Sequence, residues 1–242
     1  MEVISKAKIK WIRSLQLKKT RELEGVFVVE GEKMVLEGLT TATSEVVCIV
    51  VHKNALDLVQ DFQDAPLFSA GNTEMEQLST LKTPNKLVAV FKRKEHPISN
   101  QGFKLVLDTI QDPGNMGTIM RLADWFGIQQ IICSNETVDC YNSKVIQASM
   151  GAVFRVGVTY TDLNTYLSAV NVPIYGALLN GENYHSVDYH PDGILLMGNE
   201  GNGISEQLLQ YVQHAVTIPR IGQAESLNVA TATAILLAEI RK

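Results

Sequence analysis

Cysteine is scarce: only Cys48, Cys133 and Cys140 occur in 242 residues. An odd and widely spaced set provides neither a disulfide framework nor paired zinc ligands, and it suits reduced thiols in a cytoplasm. Long apolar runs are also missing. No stretch approaches the ~20 residues that a membrane span needs. The opening MEVISKAKIKWIRS is charged and has no continuous apolar segment, so it does not read as a signal peptide. The expectation is a cytoplasmic chain with no membrane contact. Histidines are few, and the five do not form a metal set. His185 and His190 flank Asp188 in YHSVDYH, but that spacing, with proline and glycine following, reads as a surface loop, so no metal is expected. A positive charge excess is absent as well. The net charge of −5 argues mildly against a general nucleic-acid binder.

What is present is an ordinary core: 45% apolar and 19% charged residues, enough for one large or two ordinary domains. Charge is unevenly placed. Residues 1–21 hold Lys6, Lys8, Lys10, Arg13, Lys18, Lys19 and Arg21 against Glu2 alone. There Ile4, Ala7, Trp11 and Leu15 recur at helical spacing as a buried face, with Lys6, Lys10 and Arg13 beside it. Such a stripe can track a phosphate backbone. On charge alone it is equally an ordinary solvated face.

Along the chain, GVFVVEG, EVVCIVV, PLFSA and NKLVAVFK read as strands. A short helix ending near Gly38, helical ALDLVQDF, and a helix over NTEMEQLSTL capped by Asn72 or Thr73 lie between them. The stretch KRKEHPISNQGF (92–103) has no periodicity and reads as a linker. It divides the chain near residue 100 into domains 1–97 and 103–242. The second part alternates KLVLDTI, QQIICSN, RVGVTY, VPIYGALL, GILLMGN and AVTIPR with helical TIMRLADWFG, YNSKVIQASMG, LNTYLSAVN and SEQLLQYVQH, and ends in LNVATATAILLAEIRK. Val/Ile/Leu-rich strands separated by helices predict an α/β fold with a parallel sheet covered on both faces.

Three loops stand out. QDPGNMGTIMR (111–121) follows a strand and carries Asn115 and Arg121, with the arginine expected about one turn into the next helix. No Gly-Lys pair exists for a phosphate-binding P-loop, and no GxGxxG for a dinucleotide. GNEGNG (198–203) sets Glu200 amid glycines, which disfavours phosphate and suits a cation or an arginine. TIPRIGQAESLNVATA (217–232) offers Ser226 or Asn228 as cap of a terminal helix. Alone, each reads equally as a plain capped turn. Together they sit at the C-terminal ends of predicted parallel strands, where open α/β sheets bind ligands. They supply an arginine, a carboxylate, two asparagines and a serine, without a cysteine or histidine nucleophile.

NxGxxxR (Asn115, Gly117, Arg121), LLMGNEGNGIS with Glu200, and IPRIGQAESLNVATA resemble the three motifs of the SpoU-type, or TrmH-like, RNA ribose methyltransferases of the SPOUT superfamily. QASMGAVFRV also resembles that family. GVFVVEGEKMVLEGL and NKLVAVFKR resemble its N-terminal substrate-binding module. The resemblance implies a catalytic domain over 103–242 with a trefoil knot, an RNA-binding domain over 1–97, and a homodimer helped by the small Ala230, Ala232 and Ala234. It implies S-adenosylmethionine as cofactor, held near Gly198, Ile218 and Leu227, and transfer to a ribose 2′-hydroxyl, with large-subunit ribosomal RNA favoured over transfer RNA. Arg121 would orient the hydroxyl and stabilise the developing alkoxide. Asn115 would hold the arginine or the ribose, Glu200 would pair with Arg121 or a neighbouring donor, and Ser226 and Asn228 would bond the substrate or hold the loop. Two rival readings remain: a non-catalytic RNA binder on the same scaffold, and a base methyltransferase of the superfamily.

Overall fold

The computed structural model describes residues 1–242, which form two compact units. The first comprises residues 1–94 together with 141–154, and the second residues 95–140 with 155–242. The chain therefore crosses between units three times, not once near residue 100. Periodicity marks segment 141–151 as helical but cannot say which sheet buries its apolar side chains.

In the first unit the order is β1 (Glu2–Val3), α1 (Lys6–Ser14), α2 (Lys18–Glu24), β2 (Val26–Glu30), α3 (Glu32–Thr41), β3 (Val46–His52), β4 (Leu67–Ala70), α4 (Asn72–Leu78) and β5 (Leu87–Lys92). The strands make a mixed sheet, β1-β4-β3-β5-β2, in which β5 runs antiparallel to both neighbours. Side chains alternate across it. Cys48, Val50, Val88 and Val90 face Ile9, Ile12, Met75 and Leu78 of the helices. The expected single basic helix is two. Buried Arg21 donates from Nη1 to the carbonyls of Leu15 (2.9 Å) and Gln16 (2.8 Å), tying α2 to the end of α1. The buried face is Ile4, Ile9, Ile12 and Leu15, while Ala7 is exposed and Trp11 half-buried. Helix α3 does not stop at Gly38, because that glycine is a contact point. A Cβ there would lie 2.5 Å from Phe154 Cζ and 2.6 Å from Phe91 Cζ. ALDLVQDF forms a kinked 3₁₀ turn rather than a regular helix, and α4 is started by Glu74, whose carboxylate accepts from Gly71 N at 2.9 Å.

The second unit contains β6 (Lys104–Leu107), α5 (Pro113–Trp125), β7 (Gln130–Cys133), then β8 (Gly157–Tyr160), α7 (Leu163–Ala169), β9 (Ile174–Asn183), β10 (Ile194–Met197), α8 (Glu206–Leu209), β11 (His214–Thr217) and α9 (Val229–Ile240); α6 (Ser143–Ser149) belongs to the first unit. All six strands are parallel, in the order β11-β9-β10-β6-β7-β8. Every residue of β6, β7 and β10 is buried, as expected for strands covered on both faces. Val106, Ile132, Ile194 and Leu196 pack on α7 and α8, and the alternating Leu105, Leu107 and Leu195 point the other way. Helix α5 packs on β7 and along α9. Strand β9 runs on to Asn183, beyond the expected strand VPIYGALL, with a register break opposite Ala215 and Val216 of β11. No helix is long and apolar enough to cross a membrane.

Candidate active site

The three loops leave the C-terminal ends of β6, β10 and β11. The first is tied down by its own polar side chains. Helix α5 begins at Pro113, five residues before the expected Thr118, because the Asp112 carboxylate caps it, accepting from Asn115 N at 2.8 Å, and proline suits the first helical position. Arg121 consequently sits just over two turns into α5 rather than one.

The second loop folds on itself. Asn199 and Gly203 exchange two backbone hydrogen bonds of 2.9 Å, and Asn199 Oδ1 accepts from Gly201 N (2.9 Å) and Asn202 N (3.1 Å). This closure requires Gly198: a Cβ there would fall 2.1 Å from Gly203 C and Ile204 N. The loop is fastened to the first. Asn199 Nδ2 donates to Thr109 O at 2.7 Å, and buried Asp108 accepts from Ser205 N at 2.7 Å. Thr109 has φ +58°, sparsely populated for a β-branched residue, and these bonds hold it there. Sequence reasoning did not single out Asp108, Thr109 or Asn199. An Asp-Thr pair ending a strand and an asparagine between glycines were the available signals.

Glu200 lies where those loops meet. It accepts from Gln111 N (3.4 Å), Asp112 N (3.2 Å) and Asn115 Nδ2 (3.1 Å). Asn115 Oδ1 in turn accepts from Asn228 Nδ2 at 2.9 Å. Asn228, not Ser226, caps α9: its Oδ1 accepts from Ala230 N (2.9 Å) and Thr231 N (3.2 Å). Glu200, Asn115 and Asn228 thus form one line of hydrogen bonds joining all three loops, each contributing a residue named from the sequence.

Arg121 stands apart from that line. Its side chain is exposed and makes neither a hydrogen bond nor an ion pair, so Glu200 is paired with Asn115 and backbone amides rather than with Arg121. On α5 the exposed residues Gly114, Thr118, Arg121 and Trp125 recur at three- and four-residue spacing and share one face. A free guanidinium on that face can donate up to five hydrogen bonds to a phosphate or a developing oxyanion.

The segment from Ile218 to Leu227 makes no backbone–backbone hydrogen bond outside regular elements; the Ala224 carbonyl accepts from Arg220 Nη1 at 3.2 Å, and most of its other N–H and C=O groups are left open. Ile218 is half-buried, Leu227 is 49% exposed and Ser226 is exposed without a partner. Free backbone donors and acceptors beside apolar side chains suit a molecule that combines a purine, a ribose and an aliphatic chain. Gly198 is close-packed within its own loop, so any contribution from it is through its backbone.

The SpoU rRNA Methylase family pattern matches residues 102–238, and that of an MRM3-like substrate binding domain matches residues 6–89. A Bacillus subtilis protein named 23S rRNA (guanosine(2553)-2′-O)-methyltransferase RlmP is 31% identical over 246 residues, covering 100% of this chain and 98% of its own length. Among solved structures, a TrmH-family protein from Porphyromonas gingivalis superposes with a TM-score of 0.89 at 38% identity, over 99% of this chain and 98% of that one. An AdoMet-bound rRNA methyltransferase from Sinorhizobium meliloti gives a TM-score of 0.89 at 30% identity, over 100% and 97% of the two chains.

Proposed function

Because this chain belongs to the SpoU rRNA methylase family, we propose that it transfers a methyl group from S-adenosylmethionine to a ribose 2′-hydroxyl of ribosomal RNA. The observation that carries the reading is the Glu200–Asn115–Asn228 line, which joins the three motif loops at the C-terminal edge of the parallel sheet.

S-adenosylmethionine, when bound, supplies a methyl group on a sulfonium, an electrophile that needs no further activation. The largely open backbone of residues 218–227, with Ile218, Leu227 and the Gly198 backbone, would hold it. The chain's own task is then to position one hydroxyl and manage one proton. Arg121 serves the positioning as a charged donor: a guanidinium stays protonated, so it orients the hydroxyl and its neighbouring phosphate and stabilises the alkoxide as it forms, while the hydroxyl proton passes to solvent water. Glu200 and Asn115 fix the loop in front of α5, and Asn228 fixes the start of α9. Ser226, exposed and unpartnered, is available to bond the substrate.

The reading extends to a cytoplasmic homodimer with a knotted catalytic domain. Trp125, 82% exposed one turn beyond Arg121, and the half-buried Ala232 and Ala234 of α9 support a helical interface. Ribosomal RNA is favoured over transfer RNA by the substrate-binding module at residues 6–89 and by the full-length match to an rRNA enzyme.

The test is transfer of labelled methyl from S-adenosylmethionine to ribosomal and transfer RNA from cells lacking this gene. Label recovered as a 2′-O-methyl nucleoside from ribosomal RNA, lost in Arg121→Ala while cofactor binding stays within a few fold, is the expected result. Label on a base, or on transfer RNA alone, would overturn it.

A further inference from the structure

The first unit carries a groove of about 660 Å³ between the end of α1 and helix α4 with the residues that follow it. Its lining includes the buried Leu78 and Leu17, which is 66% exposed. Ser14, Thr73, Ser79 and Thr80 line it together with four longer polar side chains: Arg13, Gln16, Glu76 and Gln77. All four are exposed, and none makes a side-chain hydrogen bond or ion pair. An arginine and a glutamate in one groove that do not neutralise each other leave both a donor fork and a two-oxygen acceptor for something else.

The groove is also where a charged track ends. Lys6, Lys10 and Arg13 follow one another at four- and three-residue spacing along one face of α1, all exposed and unpaired, and Arg13 is itself a groove residue. A phosphate backbone following that face reaches the groove with its next base free to turn in.

Resting on the RNA reading above, we propose that this groove holds one unstacked guanine of the substrate RNA, away from the methylated nucleotide. Sequence-specific recognition of RNA uses splayed bases whose edges meet side-chain donors and acceptors. Of the four bases only guanine carries two adjacent donors, N1–H and N2–H₂, and these match the two oxygens of Glu76. Its O6 and N7 acceptors match the Arg13 guanidinium or the amides of Gln16 and Gln77. Leu17 offers an apolar face for the ring. The groove is ample for one base, since pockets for whole ligands run from roughly 300 to 1,000 Å³.

The experiment is equilibrium binding of the full-length protein to its ribosomal RNA substrate, with salt titration, for wild type, Glu76→Gln, Gln77→Ala and the double variant Lys6→Gln/Lys10→Gln. Glu76 and Gln77 are exposed and unpaired, so both single variants are expected to fold as wild type. Glu76→Gln and Gln77→Ala should each weaken binding roughly 10-fold with an unchanged salt slope, the signature of a base contact, whereas the lysine variant should flatten the slope. Replacing each unpaired guanine of the RNA in turn should reveal one whose loss costs wild type about as much as Glu76→Gln does, and costs Glu76→Gln nothing more. Wild-type affinity in both groove variants, with a flattened slope in the lysine variant, would overturn the groove while leaving the RNA reading intact. No RNA binding by wild type would overturn both.

Discussion

Asn115 is held at both ends of its amide. Its Nδ2 donates to Glu200 at 3.1 Å, and its Oδ1 accepts from Asn228 at 2.9 Å. One side chain therefore couples the loop after β10 to the start of α9. A net hydrogen bond contributes about 1 kcal/mol, so Asn115→Ala should lower stability by only about 1–2 kcal/mol. Its effect on turnover should be larger, at least 10-fold in kcat, because three loops lose their common register. Asn115→Asp should be worse than Ala, since it sets a second carboxylate against Glu200. Parallel melting curves and single-turnover rates separate the two effects; equal losses in both would remove the positioning role.

Gly38 tests the packing of the first unit. Alanine is a better helix former than glycine by about 1 kcal/mol. Against that, the new methyl would meet Phe91 and Phe154 at under 2.7 Å, and Phe91 is fully buried. Overpacking typically costs about 1–3 kcal/mol, so Gly38→Ala should lower the denaturation midpoint. A raised midpoint would show that the phenyl rings yield.

The unpaired stripe on α1 makes a prediction about salt. Each phosphate contact contributes roughly 0.7–0.9 to the slope of log K against log salt. Neutralising Lys6, Lys10 and Arg13 together should weaken RNA binding and reduce that slope by about 2. Filter binding at several ionic strengths measures it, and an unchanged slope would place the backbone contact elsewhere.

The far end of α9 carries a pH dependence. Hydrogen bonding from Lys242 first, and also from His185 at 2.8 Å, holds the Glu239 carboxyl below the usual glutamate range, against a smaller opposing effect of burial. A carboxyl whose folded pKa is depressed adds stability that is complete above its unfolded value, about 4.3, and is lost as pH falls through the folded value. Wild type should therefore lose more thermal stability than Glu239→Gln as pH drops below about 4.3. Parallel melting curves in that range would refute the arrangement.

Much of this protein was written locally. Continuous apolar runs such as KLVL, QIIC and ILLM announce strands buried on both faces, because nothing polar interrupts them. Capping chemistry announces helix starts, and the residue types of the three loops announce the site. Where the sequence reading slipped at Gly38, a nonlocal contact was responsible: the glycine resembles a helix stop until Phe91 and Phe154 are seen against it. The early start of α5 is by contrast local, set by the Asp112 carboxylate, which accepts from Asn115 N three residues on. Residues 141–151 are helical by pattern, yet only tertiary contacts, such as Tyr141 on Phe27, Phe154 on Phe91 and Gln147 to the Glu30 carbonyl, assign 141–154 to the first unit. The same division holds at the site. The sequence alone determined which side chains are available: one carboxylate, one guanidinium, two amides. Tertiary structure decided that the carboxylate binds an amide and leaves the guanidinium free. That choice depends on distances between residues 85 and 113 positions apart in the chain, which only the parallel sheet brings within hydrogen-bond reach.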